Sequence, residues 1–273
     1  MTADPSTPRM TATRLARLVA DGDAEAVRAA VTAQPRLLAE VVERDGDGGW
    51  TPLHQAVLAR SDALVRLLVE AGADPAARTD GGRSPLHLAL EHAPELVAVL
   101  RELGAPVDAA SAAFLDDAEQ LATALDGGAP LTDPSTDVDL LSWAACGGAT
   151  EAVDLLLTRG AHPGAALHVA AAAGSAPVVH RLLGAGAAVD VRDPATGRTP
   201  LHSAVASAPD EQVLAMVRLL LGAGADVDAV TQDGASALDI ARVAGARRRA
   251  ASPGRDPVSE TLVEVLVAAG ASG

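Results

Sequence analysis

Seven histidines and one cysteine are the residues best able to bind a metal or act in catalysis. Three of the histidines, His92, His162 and His180, have no second histidine or cysteine at the spacing used by zinc sites. Cys146 would need a neighbouring base and a lowered pKa to act as a nucleophile, and the sequence designates no such base. We therefore expect no metal site, no cofactor and no catalytic residue.

Phosphate loops and paired carboxylates are the other common sources of chemistry. The sequence predicts no strand before the run Gly46-Asp47-Gly48-Gly49, and the lysine that a phosphate loop needs does not follow it. The pair Asp116-Asp117 lies in a polar connection, where water solvates both charges. A serine nucleophile elbow and a kinase motif set are also missing from the sequence. These patterns favour a binding protein over an enzyme.

A helical hairpin is predicted between Gly197 and Ala229. It opens with Thr199-Pro200-Leu201-His202, in which a hydroxyl residue and a proline have the chemistry of a helix start. An apolar series with helical spacing follows and stops at a glycine-rich segment, Gly222 to Gly224. The members of that series are Val213, Met216, Val217 and Leu220.

Copies of this hairpin recur along the chain. Thr51-Pro52-Leu53-His54 and Ser84-Pro85-Leu86-His87 begin 33 residues apart, and weaker copies begin at Asp139, Ala165 and Ser236. A closing Gly-Ala pair recurs at Gly72, Gly104, Gly128, Gly160, Gly186, Gly224 and Gly270. The pattern resembles the ankyrin repeat, whose signature joins a turn, Thr-Pro-Leu-His, two helices and Gly-Ala-Asp.

The resemblance implies an all-α ankyrin-repeat solenoid of helix-turn-helix units with short projecting β-turns, which we call fingers. We expect a flexible tail over residues 1–10 and an array over 11–273. The Arg-rich segment 242–257 would be a solvated loop inserted in the last unit. Two units begin too soon after their predecessors to carry a finger, so some repeats are shortened. The eight expected units are 11–47, 48–80, 81–108, 109–132, 133–162, 163–195, 196–230 and 231–273.

The family also implies a structural role for one set of motif residues. The motif imidazole bonds the hydroxyl residue at the helix start and reaches the backbone of the neighbouring repeat. Ala165 replaces the hydroxyl residue in one copy, which weakens its network. The residues assigned to this role are Thr51, His54, Ser84, His87, His168, Thr199 and His202.

The concave face that the resemblance implies is the expected partner-binding surface. It is formed by finger tips and the later part of each first helix. We expect Trp50 to be exposed there, whereas Phe114 and Trp143 either contribute to it or fill space left by shortened repeats; aromatic and arginine side chains are enriched at interface hot spots. The candidates are Asp47, Trp50, Leu58, Asp80, Arg83, Glu91, His92, Phe114, Trp143, Cys146 and Arg198.

Composition limits the partner and the compartment. The formal charge of −15 and pI near 4.7 disfavour nucleic acid and favour a basic protein. A single cysteine and the lack of a leader or a spanning apolar run predict a cytoplasmic monomer without membrane association. The lack of Lys, Asn and Tyr is typical of a GC-rich bacterial genome, such as an actinobacterial one.

The function predicted from these features is non-enzymatic protein binding, as an adaptor, regulator or inhibitor. Two alternatives remain open at this point. One is an enzyme that uses the concave groove, with Cys146 or His92 as the residue to test. The other is a structural assembly protein or an effector that acts in a host.

Overall fold

The computed structural model describes residues 10–207, 211–251 and 257–272, without the side chains of 211, 248–251 and 257. The expected tail therefore lies, apart from Met10, outside the described residues. The described ranges contain these helices: α1 (Ala12–Ala20), α2 (Ala24–Ala33), α3 (Pro52–Leu58), α4 (Asp62–Glu70), α5 (Pro85–His92), α6 (Val97–Glu102), α7 (Ala109–Phe114), α8 (Ala118–Asp126), α9 (Leu140–Gly147), α10 (Thr150–Thr158), α11 (Gly164–Ala172), α12 (Ala176–Gly184), α13 (Pro200–Ala206), α14 (Glu211–Gly222), α15 (Ala237–Ala251) and α16 (Pro257–Ala268). Short 3-10 helices span Pro35–Leu38 and Pro94–Leu96.

The helix ends follow the local chemistry of the sequence. Ser84 caps α5 by accepting a hydrogen bond from the His87 amide at 3.1 Å, and Asp139 caps α9 through the Ser142 amide at 2.7 Å. The seven glycines of the Gly-Ala ladder all adopt φ values between +86° and +103°, as expected for the left-handed residue that closes a helix. The repeating helix-turn-helix pattern predicted from sequence is thereby confirmed.

The helices stack in two layers within each of two compact units. Of the described residues, those up to Ser111 and Pro134–Asp137 form the first unit, and Ala112–Asp133 and those from Val138 onward form the second. In the first unit α1, α3 and α5 form one layer and α2, α4 and α6 the other. In the second unit α9, α11, α13 and α15 stack against a layer of α8, α10, α12, α14 and α16. Leucine, valine and alanine fill both cores.

The fingers are hairpins or tight turns that precede first helices. Strands β1 (Val42–Arg44) and β2 (Asp47–Trp50) pair antiparallel, as do β3 (Thr132–Asp133) and β4 (Val138–Asp139). The other fingers are closed by backbone bonds from Thr79 to Arg83 at 3.0 Å, from Asp193 to Arg198 at 2.9 Å and from Thr231 to Ala235 at 3.0 Å. The connections into α7 and α11, residues 103–108 and 159–163, contain no paired strand.

The Arg-rich segment corrects one prediction. Residues 242–257 were expected to form a solvated loop, but α15 runs on to Ala251 and α16 begins at Pro257. Alanine and arginine are strong helix formers, so residues 242–251 extend the helix that the motif starts. Residues 252–256 of the expected loop lie outside the described ranges.

Candidate functional site

The motif histidines tie each first helix to the next finger. The Thr51 amide lies 3.2 Å and its hydroxyl 2.8 Å from His54 Nδ1, so Nε2 carries the proton and donates to the Arg83 carbonyl at 3.1 Å. Thr199, His202 and the Ala235 carbonyl repeat this arrangement in the second unit. Burial lowers the pKa of His54 and His202, so both rings are neutral at pH 7.

His87 reaches a side chain in place of a finger carbonyl. Its Nε2 lies 3.1 Å from the carboxylate of Asp108, which also accepts from the Ser111 amide at 2.9 Å and from Arg78 at 2.7 Å. Because no finger precedes α7, this carboxylate takes the place of the missing carbonyl. Sequence reasoning did not select Asp108 or Arg78. The available signal was an acidic residue just before a fingerless helix, three residues ahead of Ser111.

Trp50 is buried, which corrects the expectation of an exposed ring. Only 8% of the residue is accessible, and its indole Nε1 donates to Asp47 Oδ2 at 3.0 Å. The other oxygen of Asp47 accepts from the Gly81 amide of the next finger at 2.8 Å. Arg44 lies over the indole at 5.6 Å from the ring centroid. Asp47 and Trp50 therefore join two neighbouring fingers.

Arg83, Glu91 and His92 form a cluster of charged and titratable side chains in the first unit. Arg83 forms an ion pair with Glu91, and His92 Nε2 lies 3.6 Å from the same carboxylate. Asp80 and His92 are exposed, while Leu58 at the end of α3 is half-buried. The structure thus brings Arg83, Glu91 and His92 together at the end of α5.

The aromatic candidates of the second unit pack on each other. Phe114 and Trp143 meet edge to face with ring centroids 6.4 Å apart and an interplanar angle of 66°. Trp143 is 3% accessible, which favours the space-filling alternative for this residue, while Phe114 is half-buried. Cys146 is exposed near the end of α9.

Arg198 is exposed at the edge of a cleft in the second unit. The cleft has a volume of about 490 Å³ and lies between α11 and the finger at 191–198. His168, Thr196 and Ser203 also line it. Because Ala165 supplies no hydroxyl, His168 Nδ1 lies instead 3.4 Å from the Ser203 hydroxyl of the next repeat. Burial lowers the pKa of His168, and the nearby carboxylate of Asp193 offsets this only in part.

Metal binding and membrane insertion are two further properties that the described residues could encode. No group of three or more His, Cys, Asp or Glu side chains there could hold a metal ion. Among the helices of the described ranges, none has both the length and the apolar character needed to cross a membrane.

The comparison with known families turns on the repeats. The family model "Ankyrin repeats (3 copies)" matches residues 13–111, 141–231 and 167–248. The chain belongs to the ankyrin-repeat family. Arrays of this family are protein-interaction modules, which assigns the general class of function.

Relatives match the repeats more than they match whole proteins. The B-cell lymphoma 3 protein homolog of Mus musculus is 34% identical over 192 residues, covering 70% of this chain and 32% of that protein. The 2-5A-dependent ribonuclease of Homo sapiens is 45% identical over 51 residues, covering 19% of this chain and 7% of that protein. The solved ankyrin repeat domain of human ASB11 aligns over 95% of this chain and 98% of its own, with 22% identity and a TM-score of 0.46. The chain therefore spans about a third or less of the curated relatives described here.

Proposed function

We propose that the chain is a non-enzymatic adaptor, regulator or inhibitor that binds a protein partner through the concave, finger-side face of its repeats. This proposal is supported by the difference between candidate residues that are buried in packing contacts and candidate residues that are exposed. Trp50, Asp47 and Trp143 serve packing between fingers or helices within their own units, whereas Asp80 and His92 remain accessible. Repeat-to-repeat contacts thus support the elements from which these exposed side chains project.

The charge of the chain indicates the kind of partner. A net charge of −15 attracts basic proteins over distances up to the screening length and repels nucleic acid. We propose a basic protein partner and a cytoplasmic monomer as the working form. Buried interface area near 1,600 Å² is roughly the usual size for such complexes, although area alone does not set affinity.

A matched pair of variants tests this face. Asp80→Ala/His92→Ala removes one exposed acid and one exposed histidine from the finger side. Glu70→Ala/His180→Ala removes the same residue types from exposed positions on second helices α4 and α12. Both variants are first checked for unchanged circular dichroism. Quantitative mass spectrometry then compares the proteins that each variant and the wild type retain from a lysate of the source cell.

The expected result is that one protein is depleted about tenfold by the finger-side variant, the loss typical of one interface hot spot, and is retained by the second-helix variant. Depletion by the second-helix variant alone would place the interface on the opposite layer. Equal retention by both variants, in the presence of a reproducible partner, would overturn the assignment of the concave face.

A further inference from the structure

The cleft beside Arg198 exists because one finger is missing. Where consecutive repeats both carry fingers, the fingers bond to each other: Asp80 N donates to the Gly48 carbonyl at 3.0 Å, and Gln232 N to the Thr196 carbonyl at 2.9 Å. The finger at 191–198 has this bond only on the side of the following repeat. On its other side α11 starts directly after residues 159–163, and a cleft of about 490 Å³ replaces the absent finger.

Most polar groups around this cleft already have partners. Asp193 accepts bonds from the Thr196 amide at 2.7 Å and the Thr196 hydroxyl at 2.6 Å. Arg192 donates to two backbone carbonyls, Gly197 at 3.1 Å and Val230 at 2.6 Å. These contacts hold the shape of the finger and leave Arg192 committed to it.

Arg198 is different, because its guanidinium makes no hydrogen bond or ion pair with any residue in the described ranges. The positive charge of Arg198 acts on the carboxylate of Asp233, but it lowers the pKa of Asp233 only slightly. The main cause of that lowered pKa is the hydrogen bond from the Thr231 hydroxyl. Among the described residues, the Ser203 hydroxyl at the same cleft contacts the neutral ring of His168, whose Nδ1 lies 3.4 Å away. An exposed cation and a hydroxyl therefore face a space that the chain does not fill.

We propose that the Arg198 cleft, formed by His168, Thr196, Arg198 and Ser203, binds an aspartate or glutamate side chain of the protein partner. A guanidinium presents two parallel N–H donors that match the two oxygens of a carboxylate. A phosphate is less suitable, because its second negative charge would meet Asp193 with only one uncommitted cation to balance it. This inference rests on the proposed function and adds the chemistry of one partner residue.

The acidic chain and the acidic ligand residue are compatible. The net charge of the chain attracts a partner that is basic as a whole, whereas a local cation selects where an acidic residue of that partner docks. Such a contact would set the position of the partner along the repeats, because Arg198 lies next to the place where a finger is missing from the repeat pattern.

Peptide display on the purified full chain provides the test. A random peptide library is fused through its carboxyl end, so that acidic groups come from side chains alone. It is selected on the wild type, on Arg198→Gln and on Arg218→Gln, which makes the same charge change at an exposed position of α14 away from the cleft. We expect the wild type and Arg218→Gln to enrich peptides that share one acidic position, and Arg198→Gln to lose that preference.

A double-mutant cycle then links the acid to the arginine. An enriched peptide is synthesised with an amidated end, in its acidic form and with the acid replaced by its amide. The replacement should weaken binding to the wild type about tenfold, as for one charge-assisted bidentate contact, and should have little effect on Arg198→Gln. Arg198→Lys keeps the positive charge but lacks the two parallel N–H donors of the guanidinium. In this variant the amide replacement should weaken binding by less than in the wild type and by more than in Arg198→Gln. A peptide with the amide side chain and a free carboxyl end shows whether a chain terminus serves equally well.

Three results would overturn the inference: no acidic position among enriched peptides, equal weakening of wild type and Arg198→Gln by the amide peptide, or the same loss in Arg218→Gln. Chemical shifts of the Thr196 and Ser203 amides on titration place the peptide independently and should move only for the acidic form. Failure here with a partner still lost by Asp80→Ala/His92→Ala would leave the proposed function standing without this contact.

Discussion

Replacement of Asp108 by asparagine should lower the free energy of unfolding of the first unit by about 2 kcal/mol. The carboxylate accepts from three groups: His87 Nε2 at 3.1 Å, Arg78 Nη2 at 2.7 Å and the Ser111 amide at 2.9 Å. Asparagine has nearly the same size, so it tests the charge and the second acceptor oxygen without opening a cavity. Its amide nitrogen would be placed against a donor.

The magnitude follows from the contacts that asparagine loses. Its carbonyl oxygen can keep the bond to Ser111. The Arg78 side chain is 33% accessible and that of Asp108 27%, so solvent screens this pair and its loss costs at most about 1 kcal/mol. The Nε2 atom of the fully buried His87 lies 3.1 Å from both oxygens of Asp108, so it can keep a bond to the oxygen that asparagine retains. That bond would no longer be charge-assisted, and the amide nitrogen in place of the second oxygen would oppose it, which together cost about 1–2 kcal/mol.

Urea unfolding with hydrogen exchange on α5 and α7 measures the effect unit by unit, because a repeat array need not unfold in one step. With a urea dependence of about 2 kcal/mol per molar, the midpoint of the first unit should fall by about 1 M. Asp74→Asn is the control. Asp74 is exposed and accepts from the Ala76 amide in its own loop, so its loss should stay within about 0.5 kcal/mol.

The pH dependence provides a second check. Burial alone would raise the pKa of Asp108, but His87, then Ser111 and Arg78, hold it well below its usual range. A carboxyl group with a lowered pKa in the folded state stabilises the protein above the unfolded value of about 3.9 and loses that effect as the pH falls. The difference between wild type and Asp108→Asn should therefore shrink below about pH 4. A loss no larger than in Asp74→Asn, or one that does not change with pH, would refute the reasoning.

Three further predictions concern the fingers and the motif. Gly82→Ala should lower the free energy of unfolding by about 2 kcal/mol or more, because at φ +79° the added Cβ would lie 1.9 Å from the Ser135 carbonyl oxygen. Its control, Gly46→Ala, has a similar φ of +84° but open space around the added Cβ, and should cost about 1 kcal/mol. Equal urea midpoints for the two variants would contradict the close contact. Thr51→Val should lower the free energy of unfolding by about 1 kcal/mol, because it removes the Thr51 hydroxyl that bonds to His54 Nδ1. The same change at the exposed Thr13 is its control. Equal thermal unfolding of the two variants would show that the Thr51 hydroxyl is dispensable. Because burial lowers the pKa of the motif histidines His54, His168 and His202 in the folded state, the unfolded chain binds protons first, and stability should decline as the pH falls from about 6.5 towards 5. A flat urea midpoint over that interval would contradict this sign.

The repeat architecture could be predicted because its signals are local. A hydroxyl residue, a proline and a closing glycine act within one or two helical turns, and these set the starts and ends that the structure confirms. The fingerless connections before α7 and α11 follow from chain length in the same way. The prediction of a loop for the Arg-rich segment was wrong because it gave more weight to glycine and proline than to the helix-forming residues up to Ala251.

The candidate site was only partly predictable, since its details depend on pairs of residues from different repeats. The sequence by itself determined the ankyrin-repeat fold, the motif histidines, the acidic charge and the two missing fingers. Only the tertiary structure decided that Trp50 turns inward to Asp47, that Asp108 takes the role of a finger carbonyl, and that Arg198 borders an open cleft. The physical reason is that stacking brings together groups about one repeat apart, and the periodic pattern that predicts the stack does not indicate which exceptions will meet across it.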